Sequence, residues 1–359
     1  MKGMVLAAGL GERMLPLTLT VPKPALPVLG RPMILEILRL LALQGVTSVA
    51  VNLHHLPERL EQVLLEASSL GVEHLHLSPE EKILGTAGGL RHAARFLRGS
   101  GTILVRNADF LADVDVMRAA MAHRASGCVA TLVLGPERPG YTVVEVDREG
   151  RVLSLGGRPA ADPSRVAGRR FFAGLHFIEE EVLDLIPVRG ASDIVRDVYR
   201  GLASEGRLGS FDHSGEWFDF GSPKDYLDGS LGLLGLSPDT RAAMLETDPV
   251  RSIGAATVAL GPGADFHHGV ELRGRAAIGF AARVGEGSRI EDSLILEEAW
   301  VGPGCRLRRV IVGPGTELPA GFELEDAVVC GDVEPRVELP AHTERRDGLL
   351  VRPLGSGPR

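Results

Sequence analysis

Short apolar runs alternate with longer stretches that are apolar on one face through the first 235 residues. The short runs have strand length, and the longer stretches repeat apolar residues at helical spacing, with Pro near some starts and Gly just after the ends. The predicted strands are 4–7, 46–53, 72–77, 103–105 and 128–134, and the predicted helices are 33–44, 57–70 and 86–97. This alternation predicts an α/β domain with a mainly parallel sheet, whose carboxyl edge is where ligands bind.

Beyond Pro238 the pattern changes to a period of six. Apolar residues recur at Leu260, Phe266, Leu272, Ile278, Val284, Ile290 and Leu296, and the pattern continues with some five-residue steps to Leu324. Six-residue repeats with Gly at many turns predict a left-handed parallel β-helix with three repeats to a coil. The predicted division is an α/β domain at 1–236, a linker helix at 237–255, the β-helix at 256–334 and a loosely packed tail at 335–359.

Length and composition fit this two-domain division. The chain has 359 residues, of which 44% are apolar and 24% charged, as in ordinary globular enzymes. Its net charge of −8 argues against nucleic acid or a membrane surface as partner, and no apolar run approaches the length of a membrane span. We expect no signal peptide, and the three widely spaced cysteines favour a cytosolic setting without disulfides or a cysteine metal site.

The segment after the first strand carries chemistry suited to polyphosphate. Gly9 and Gly11 allow backbone amides to approach anionic oxygens, and Arg13 offers a fork of donors. Lys23 adds a point charge and stands between Pro22 and Pro24, which restrict the backbone around it. Neither the dinucleotide fingerprint nor the P-loop pattern is matched. We therefore predict a phosphate site of a different kind here, although a turn with solvated basic residues is the simpler interpretation.

Four motifs, in this order along the chain, resemble those of the sugar-1-phosphate nucleotidyltransferases, also called nucleoside-diphosphate-sugar pyrophosphorylases. The first is the signature with its lysine, the second a glycine-rich nucleotide loop, the third an N-x-D metal motif and the fourth a W-x-D-x-G-T-P motif. In this sequence they read LAAGLGERMLPLT at 6–18 with Lys23-Pro24, ILGTAGG at 83–89, NAD at 107–109 and WFDFGSP at 217–223.

The resemblance implies a Rossmann-like fold and a reaction of an NTP with a sugar-1-phosphate that gives an NDP-sugar and pyrophosphate. It assigns Arg13 and Lys23 to the triphosphate and Asp109 with Asp219 to Mg²⁺, since Mg²⁺ prefers carboxylates and substrate phosphates. The implied nucleotide-binding residues are Leu6, Ala8, Gly9, Gly11, Glu80, Gly85, Thr86 and Gly88. The most similar branches are the mannose-1-phosphate guanylyltransferases and the N-acetylmuramate-1-phosphate uridylyltransferases, and GTP with mannose-1-phosphate is the favoured substrate pair.

The sugar side departs from the family pattern. Arg158 stands where many members have a lysine that meets the sugar phosphate, and Ala173 precedes Gly174 where a hydrogen-bonding side chain is usual. We assign Arg158 and Gly174 to the sugar phosphate by the resemblance. These departures leave open a non-catalytic subunit that binds a sugar nucleotide, and UTP or dTTP with another hexose-1-phosphate is the alternative substrate pair.

The β-helix has two interpretations. In some relatives of this family it transfers acyl groups, which needs a catalytic histidine, and His267-His268 is the candidate pair. We favour solvated turn histidines, because adjacent residues on a coil point in opposite directions. The preferred prediction is a module for homo-oligomerisation or regulation.

Overall fold

The structure is a computed structural model that describes residues 1–332 and 338–356. Its contacts divide the chain into two compact units. The first contains Met1–Gly9 and Ile37–Trp217, and the second contains Leu10–Glu36 and Phe218–Arg359. This differs from the predicted division at residue 236, because the segment that follows the first strand groups with the C-terminal half. Among the residues that the structure describes, no helix is both long and apolar enough to cross a bilayer.

Thirteen strands of the described residues lie before residue 220. They are β1 Lys2–Leu6, β2 Pro27–Val28, β3 Arg31–Pro32, β4 Ser48–Leu53, β5 His74–Pro79, β6 Ile103–Asn107, β7 Phe110–Ala112, β8 Ala130–Pro136, β9 Val143–Val146, β10 Val152–Leu155, β11 Gly168–Ile178, β12 Leu208–Asp212 and β13 Trp217–Asp219. The α-helices are α1 Met33–Leu43, α2 Pro57–Leu64, α3 Gly85–His92, α4 Ala94–Leu97, α5 Val116–Ser126, α6 Arg200–Ser204, α7 Pro223–Leu234 and α8 Pro238–Met244.

Shorter 3₁₀ turns and one π-helical turn connect these elements. The 3₁₀ turns are Glu12–Met14, Leu17–Leu19, Lys23–Ala25, Leu65–Leu70 and Glu180–Leu185, and the π-helical turn is Val195–Tyr199.

The first unit is built on a mixed sheet. Its strands run β10-β9-β11-β6-β1-β4-β5, with β8 pairing β11 and β12. The half formed by β6, β1, β4 and β5 is parallel, as predicted, whereas β11 is antiparallel to β6, β8 and β9. The prediction of a mainly parallel sheet is therefore wrong for the second half. At the β9-β10 edge the reason is local, since these two strands are also antiparallel and are joined by a short turn and not by a crossover helix.

Apolar side chains on one face of this sheet pack with helical segments in a buried core cluster of the first unit. Met4, Val105 and Leu132 from the strands and Leu90 and Tyr199 from the helical segments belong to the same buried cluster. This packing fixes the ends of β1 and β6, from which two of the predicted motifs depart.

The second unit contains the six-residue repeats. Its strands are β14 Val250–Ile253, β15 Ala256–Leu260, β16 Asp265–Phe266, β17 Glu271–Ile278, β18 Arg283–Val284, β19 Arg289–Ile295, β20 Trp300–Val301, β21 Arg306–Val312, β22 Glu317–Leu318, β23 Glu323–Gly331, β24 Glu344–Arg346 and β25 Leu349–Pro353. Two parallel stacks alternate along the chain, β15-β17-β19-β21-β23 and β16-β18-β20-β22. Two interleaved parallel stacks make a β-helix, as predicted.

The register of the coils matches three six-residue repeats. Thr257 pairs with Arg275, eighteen positions later, and Arg289 pairs with Arg306, seventeen positions later. The five-residue steps in the sequence account for the shorter turn. The residues of the predicted register from Ile278 to Ile290 are completely buried in the core of the coils.

Antiparallel strands close both ends of the larger stack. β14 pairs with β15 at one end, and β25 pairs with β23 at the other and with β24 beyond it. The expectation of a loosely packed tail is wrong for 344–353, since Leu349 and Leu350 are buried. The predicted boundary at 334/335 lies outside the described residues.

Helix α7 packs on the coils within the second unit. Arg275 donates from Nη1 to the carbonyl of Leu231 at 3.1 Å, and Arg309 bridges Asp228 of α7 and Asp326 of β23. The segment predicted as a linker helix contains α8 and β14, so it is part of the folded unit.

Candidate active site

The first unit holds the beginning of the signature at the carboxyl end of β1. Ala7 and Ala8 are buried, and the Ala7 amide donates to Oδ1 of the buried Asn52 at 2.7 Å. Leu6 packs against the core, and Gly9 is exposed, with no atom within 4 Å of the place a Cβ would take. The chain therefore leaves the sheet at Gly9 with open space beside its backbone.

Glu80 links this strand end to the glycine-rich loop. Asn52 donates from Nδ2 to Glu80 Oε1 at 2.8 Å, and the Leu84 amide donates to Glu80 Oε2 at 2.9 Å. A Cβ on Gly89 would lie 2.7 Å from Asn52 Nδ2, so the loop must carry glycine there. Glu80 was assigned to the nucleotide, yet both of its carboxylate oxygens accept hydrogen bonds that hold the two segments together.

The start of α3 is held by a segment more than a hundred residues away. The carbonyl of Ser192 accepts hydrogen bonds from the Ala87 and Gly88 amides at 3.0 and 3.4 Å. A Cβ on Gly85, whose φ is +75°, would approach that carbonyl to 2.5 Å. The Thr86 hydroxyl donates to Asp193 at 3.1 Å. These contacts fix the backbone of the loop, and the close approach of the Ser192 carbonyl explains the glycine at position 85.

The N-x-D motif follows β6, directly beside β1. The Ala108 amide donates to the carbonyl of Leu6 at 3.1 Å, and Asp109 is half-buried. The preceding Arg106 is buried, donates to the carbonyl of Phe110 at 2.7 Å and stacks on that ring. Burial lowers the pKa of Arg106 to about 9, and the charge of Asp109 opposes this shift. Asp109 therefore lies near a buried guanidinium.

Gly174 lies beside this motif. It interrupts the register of β11 with a φ of +84°, and its Cβ position is 3.0 Å from Phe110 Cε1 and 3.3 Å from Asn107 Nδ2. The carbonyl of Ala173 accepts from Trp217 Nε1 at 3.0 Å. The structure therefore brings together Gly174 and the N-x-D motif, which the sequence assigned to the sugar phosphate and the metal.

Arg158 is placed differently from Gly174. It is exposed in the turn after β10, where its backbone exchanges hydrogen bonds with Leu155. The turn supplies a guanidinium at the surface of the first unit.

The second unit holds the rest of the signature. Gly11 has a φ of +69°, and its carbonyl accepts from the Thr18 hydroxyl at 2.8 Å. Arg13 is exposed in the short turn that follows. Lys23 is half-buried at the start of a second turn, next to the buried Pro24. Each cation therefore stands on a short, internally hydrogen-bonded turn.

Arg13 and Asp219 meet at Gly221. The Gly221 amide donates to Asp219 Oδ1 at 2.8 Å. A Cβ on this glycine would lie 2.9 Å from Asp219 Oδ1 and 3.1 Å from Arg13 Nη2. The structure therefore brings together a cation of the first motif and the carboxylate of the fourth, which are 206 positions apart.

The site residues thus fall into two groups. The first unit holds Leu6, Ala8, Gly9, Glu80, Gly85, Thr86, Gly88, Asp109, Arg158 and Gly174, and the second holds Gly11, Arg13, Lys23 and Asp219. The sharing of one ion by Asp109 and Asp219 stays a prediction.

The carboxylates do not form a protein-only metal cage. Within residues 1–332 and 338–356, no three His, Cys, Asp or Glu side chains are grouped to hold an ion. Two carboxylates completed by substrate phosphates and water are the donor set that Mg²⁺ takes in phosphoryl-transfer sites. Asp109 and Asp219 are each of the residue type that such a donor set uses.

Sequence reasoning missed several supporting residues, among them Asn52, Arg106 and Ser192. Asn52 and Arg106 are polar residues within mostly apolar strands, and that is the signal that marks them. Ser192 acts through its backbone carbonyl, so its residue type carries no signal.

Comparison with known proteins agrees with these motifs. A family model described as "Nucleotidyl transferase" matches residues 2–234, and one described as "GlmU-like, C-terminal hexapeptide" matches residues 266–327. The chain belongs to the nucleotidyl transferase family. The resemblance drawn from the four motifs is confirmed, and the protein is an enzyme of this family with a hexapeptide-repeat domain.

Named relatives span nearly the whole chain. The mannose-1-phosphate guanyltransferase of Candida albicans is 33% identical over 94% of this chain and 93% of its own length. That of Debaryomyces hansenii is 33% identical over 92% of this chain and 91% of its own length. The UTP–glucose-1-phosphate uridylyltransferase of a Synechocystis strain is 29% identical over 86% of both chains. Each is a sugar-1-phosphate nucleotidyltransferase by name.

Proposed function

We propose that this nucleotidyltransferase joins GTP to mannose-1-phosphate and releases GDP-mannose and pyrophosphate. The observation that carries the proposal is the similarity, over more than nine-tenths of the chain, to relatives named mannose-1-phosphate guanyltransferase. UTP with a hexose-1-phosphate is the second candidate, since the uridylyltransferase covers almost as much of the chain. The motifs that bind triphosphate do not distinguish the two, because base choice depends on a few hydrogen bonds from loops.

The reaction is an in-line displacement. A phosphate oxygen of the sugar-1-phosphate attacks the α-phosphorus of the NTP, the bond from that phosphorus to the bridging oxygen breaks, and the electron pair leaves on pyrophosphate. The attacking oxygen is already an anion, so no general base is required. Catalysis then depends on positioning and on stabilising charge. We assign Arg13 and Lys23 to the triphosphate, where they offset the charge on the departing pyrophosphate.

Asp109 and Asp219 are proposed to hold Mg²⁺. When bound, the ion would neutralise part of the phosphate charge. In this proposal the protein's own part is to place a carboxylate after β6 and another beside Gly221. The Gly221 amide keeps the Asp219 carboxylate oriented, and the Arg13 guanidinium, which lies beside the same glycine, faces the phosphates in this proposal.

The remaining assignments follow the same proposal. The backbone around Ala8, Gly9 and Gly11 lies along the phosphates, and the loop of Gly85, Thr86 and Gly88 lies along the nucleoside. Glu80 supports that loop through its hydrogen bond from the Leu84 amide. Gly174 and Arg158 face the sugar phosphate, and the close approach of Phe110 and Asn107 leaves room only for glycine at position 174.

Several wider expectations remain part of this proposal. We propose that the β-helix is left-handed, which rests on the six-residue period and the hexapeptide match, and that it mediates homo-oligomerisation. Light scattering on the full chain tests the oligomer, and a monomer at high concentration contradicts it. The three cysteines are free and buried, which suits a cytosolic enzyme.

The acyltransferase alternative has little support in the coils. His267 and His268 are both exposed, and the His267 ring packs edge-on against Trp300. Acetyl-CoA-dependent acylation by the purified protein is the result that favours this alternative. A non-catalytic subunit is disfavoured by the presence of Arg13, Lys23, Asp109 and Asp219.

A pyrophosphate-release screen tests the proposal. GTP, UTP, dTTP and ATP are each combined with mannose-1-phosphate, glucose-1-phosphate and N-acetylmuramate-1-phosphate in the presence of Mg²⁺. The expected productive pair is GTP with mannose-1-phosphate. Turnover with another NTP and none with GTP overturns the substrate assignment, and no turnover with any pair favours the regulatory alternative.

A further inference from the structure

The last described strand, β25, carries an arginine on the face turned away from the coils. Leu349 and Val351 pack into the apolar core of the β-helix, whereas Leu350 and Arg352 alternate with them and point to the other side. Arg352 pairs in register with Val328 of β23. Its backbone is therefore anchored in the sheet that closes the β-helix.

The Arg352 guanidinium reaches the signature segment within the second unit. Nη1 donates to the carbonyl of Leu15 at 2.7 Å and to that of Arg13 at 3.1 Å. Nε and Nη2 donate to the hydroxyl and the carbonyl of Ser356. The Ser356 hydroxyl in turn donates to the carbonyl of Pro353 at 2.7 Å. The guanidinium is thus shared between the signature backbone and its own turn.

Arg352 is only 5% exposed, and these four acceptors are all neutral. Burial lowers its pKa, as expected for a cation held by carbonyl dipoles. A guanidinium keeps its proton at neutral pH. Its positive charge therefore lies directly against the backbone that bears Arg13.

We propose that Arg352 is a positioning residue for the signature segment, through which the C-terminal strand supports NTP binding. This inference rests on the proposed function of Arg13. Two hydrogen bonds from Nη1 of one rigid guanidinium fix the Arg13–Met14 and Leu15–Pro16 peptide planes, so the backbone that carries the Arg13 side chain is held in one orientation. The buried charge also adds to the positive potential at a segment that receives a triphosphate.

The signature turn leaves two of its carbonyls for a partner outside the turn. The turn that contains Arg13 has its own hydrogen bond, from the Met14 amide to the Gly11 carbonyl at 2.8 Å, but this bond leaves the Arg13 and Leu15 carbonyls free to accept from another segment. Arg352 fills that need from a position 337 residues further along the chain than Leu15. Removal of the guanidinium leaves both carbonyls to reorient.

The test compares three variants of the full-length enzyme. Arg352→Gln removes the charge and most donors, Arg352→Lys keeps the charge with a different geometry, and Arg308→Gln is the control. Arg308 lies on β21 and pairs with Glu325 of β23, so its guanidinium serves the coils alone. Calorimetry measures GTP binding without sugar phosphate, and steady-state assays give the KM of each substrate.

We expect Arg352→Gln to weaken GTP binding and raise the KM for GTP roughly 10- to 100-fold, as for a displaced catalytic segment. The KM for mannose-1-phosphate should stay unchanged, Arg352→Lys should recover part of the loss, and Arg308→Gln should behave as wild type. A merely structural role predicts a different result, in which the active fraction falls at unchanged KM values.

Two results overturn the inference. One is an Arg352→Gln enzyme that is folded by circular dichroism and binds GTP as wild type does. The other is an Arg352→Gln enzyme in which only the active fraction falls while the KM for GTP is unchanged. If Arg352→Gln does not fold, the same measurements are made on Arg352→Lys. If the wild-type enzyme uses another NTP, that NTP replaces GTP in the test. If the wild-type enzyme binds no NTP, that result contradicts the proposed function and not the role of Arg352.

Discussion

At the scale of single residues, the two acidic side chains assigned to the metal are the most direct test of the site. Asp219 accepts from the Gly221 amide through Oδ1, and an asparagine retains an oxygen for that bond. Asp109→Asn and Asp219→Asn should therefore fold normally and lose about 10²–10³-fold in turnover, the usual cost of one electrostatic contact to the transition state. Rates at limiting Mg²⁺ measure the loss.

Asp113→Asn is the matched control for these two variants. Asp113 lies four residues beyond Asp109 and faces His213 at 3.3 Å, so it has a carboxylate in the same region with another partner. It should keep near-normal turnover. If either site variant also does so, the proposed metal site is wrong.

Asn52 carries the second prediction at this scale. It accepts from the Ala7 amide and donates to Glu80, and it is buried. Asn52→Asp keeps the oxygen that accepts from Ala7, but it places a new carboxylate directly against that of Glu80. This variant should therefore lose about 3–5 kcal/mol of unfolding free energy at pH 7. The added substitution Glu80→Gln restores a donor and should recover most of that loss. Urea denaturation measures both, and an additive double variant contradicts the assignment.

The sequence predicts the candidate ligand-binding residues better than it predicts the residues that hold their segments in place. Arg13, Lys23, Asp109 and Asp219 stand in local motifs, and residue type within a short window identifies them. Asn52 and Arg352 act on segments 45 and more than 300 positions away, through backbone atoms whose identity the sequence does not encode. Only the folded chain brings such pairs together.

At the scale of elements, periodicity predicted the coils and missed the strands that close them. Six-residue spacing is a repeated signal, so seven positions reinforce one another. β25 is a single strand of five residues that contains Arg and Pro. A segment this short shows no repeated spacing of apolar residues that would predict a strand. The antiparallel β11 was missed for a related reason, since an apolar run looks the same in either direction.

The repeated register makes a prediction about the coils. Ile290 is completely buried between neighbouring turns, whereas Phe280 on the same domain is 52% exposed. Ile290→Ala should destabilise the coils by about 2–5 kcal/mol because it leaves a cavity. Phe280→Ala should change the unfolding free energy by less than about 0.5 kcal/mol. Urea denaturation followed by circular dichroism gives both values, and equal losses would falsify the assigned register.

At the scale of the whole molecule, titratable groups that are buried or half-buried set opposite responses to pH in the two units. In the first unit, burial lowers the pKa of His176 to about 3, and its Nδ1 contacts the buried Tyr199 hydroxyl. In the second unit, burial raises the pKa of Glu297, and the charges of Asp248 and Glu298 act in the same direction. Burial also raises the pKa of Asp248, against the opposing charge of Arg31.

The sign of each response follows from the comparison with the unfolded chain. His176 binds its proton less readily when folded, so its contribution to stability is complete above about pH 6.5 and is lost as the pH falls toward 3. Glu297 and Asp248 bind theirs more readily when folded, so their contribution is present below the ordinary carboxyl pKa and is lost as the pH rises through the raised values. Stability should therefore decline on both sides of mildly acidic pH.

Two variants separate the decline in stability at low pH from the decline at high pH. Glu297→Gln removes the charge that burial disfavours, so it should raise the melting temperature at pH 8 and lose that advantage as the pH approaches 4. His176→Gln should lower the melting temperature at pH 7.5 through its lost contact with Tyr199, yet fall less steeply than wild type below pH 6, since one proton uptake contributes about 1.4 kcal/mol per pH unit. Melting curves from pH 4 to pH 8 measure both slopes. If the melting temperatures of wild type and Glu297→Gln change with pH in parallel, ionisation of Glu297 does not destabilise the fold and the first prediction is wrong. If those of wild type and His176→Gln change in parallel, the same holds for protonation of the His176 imidazole.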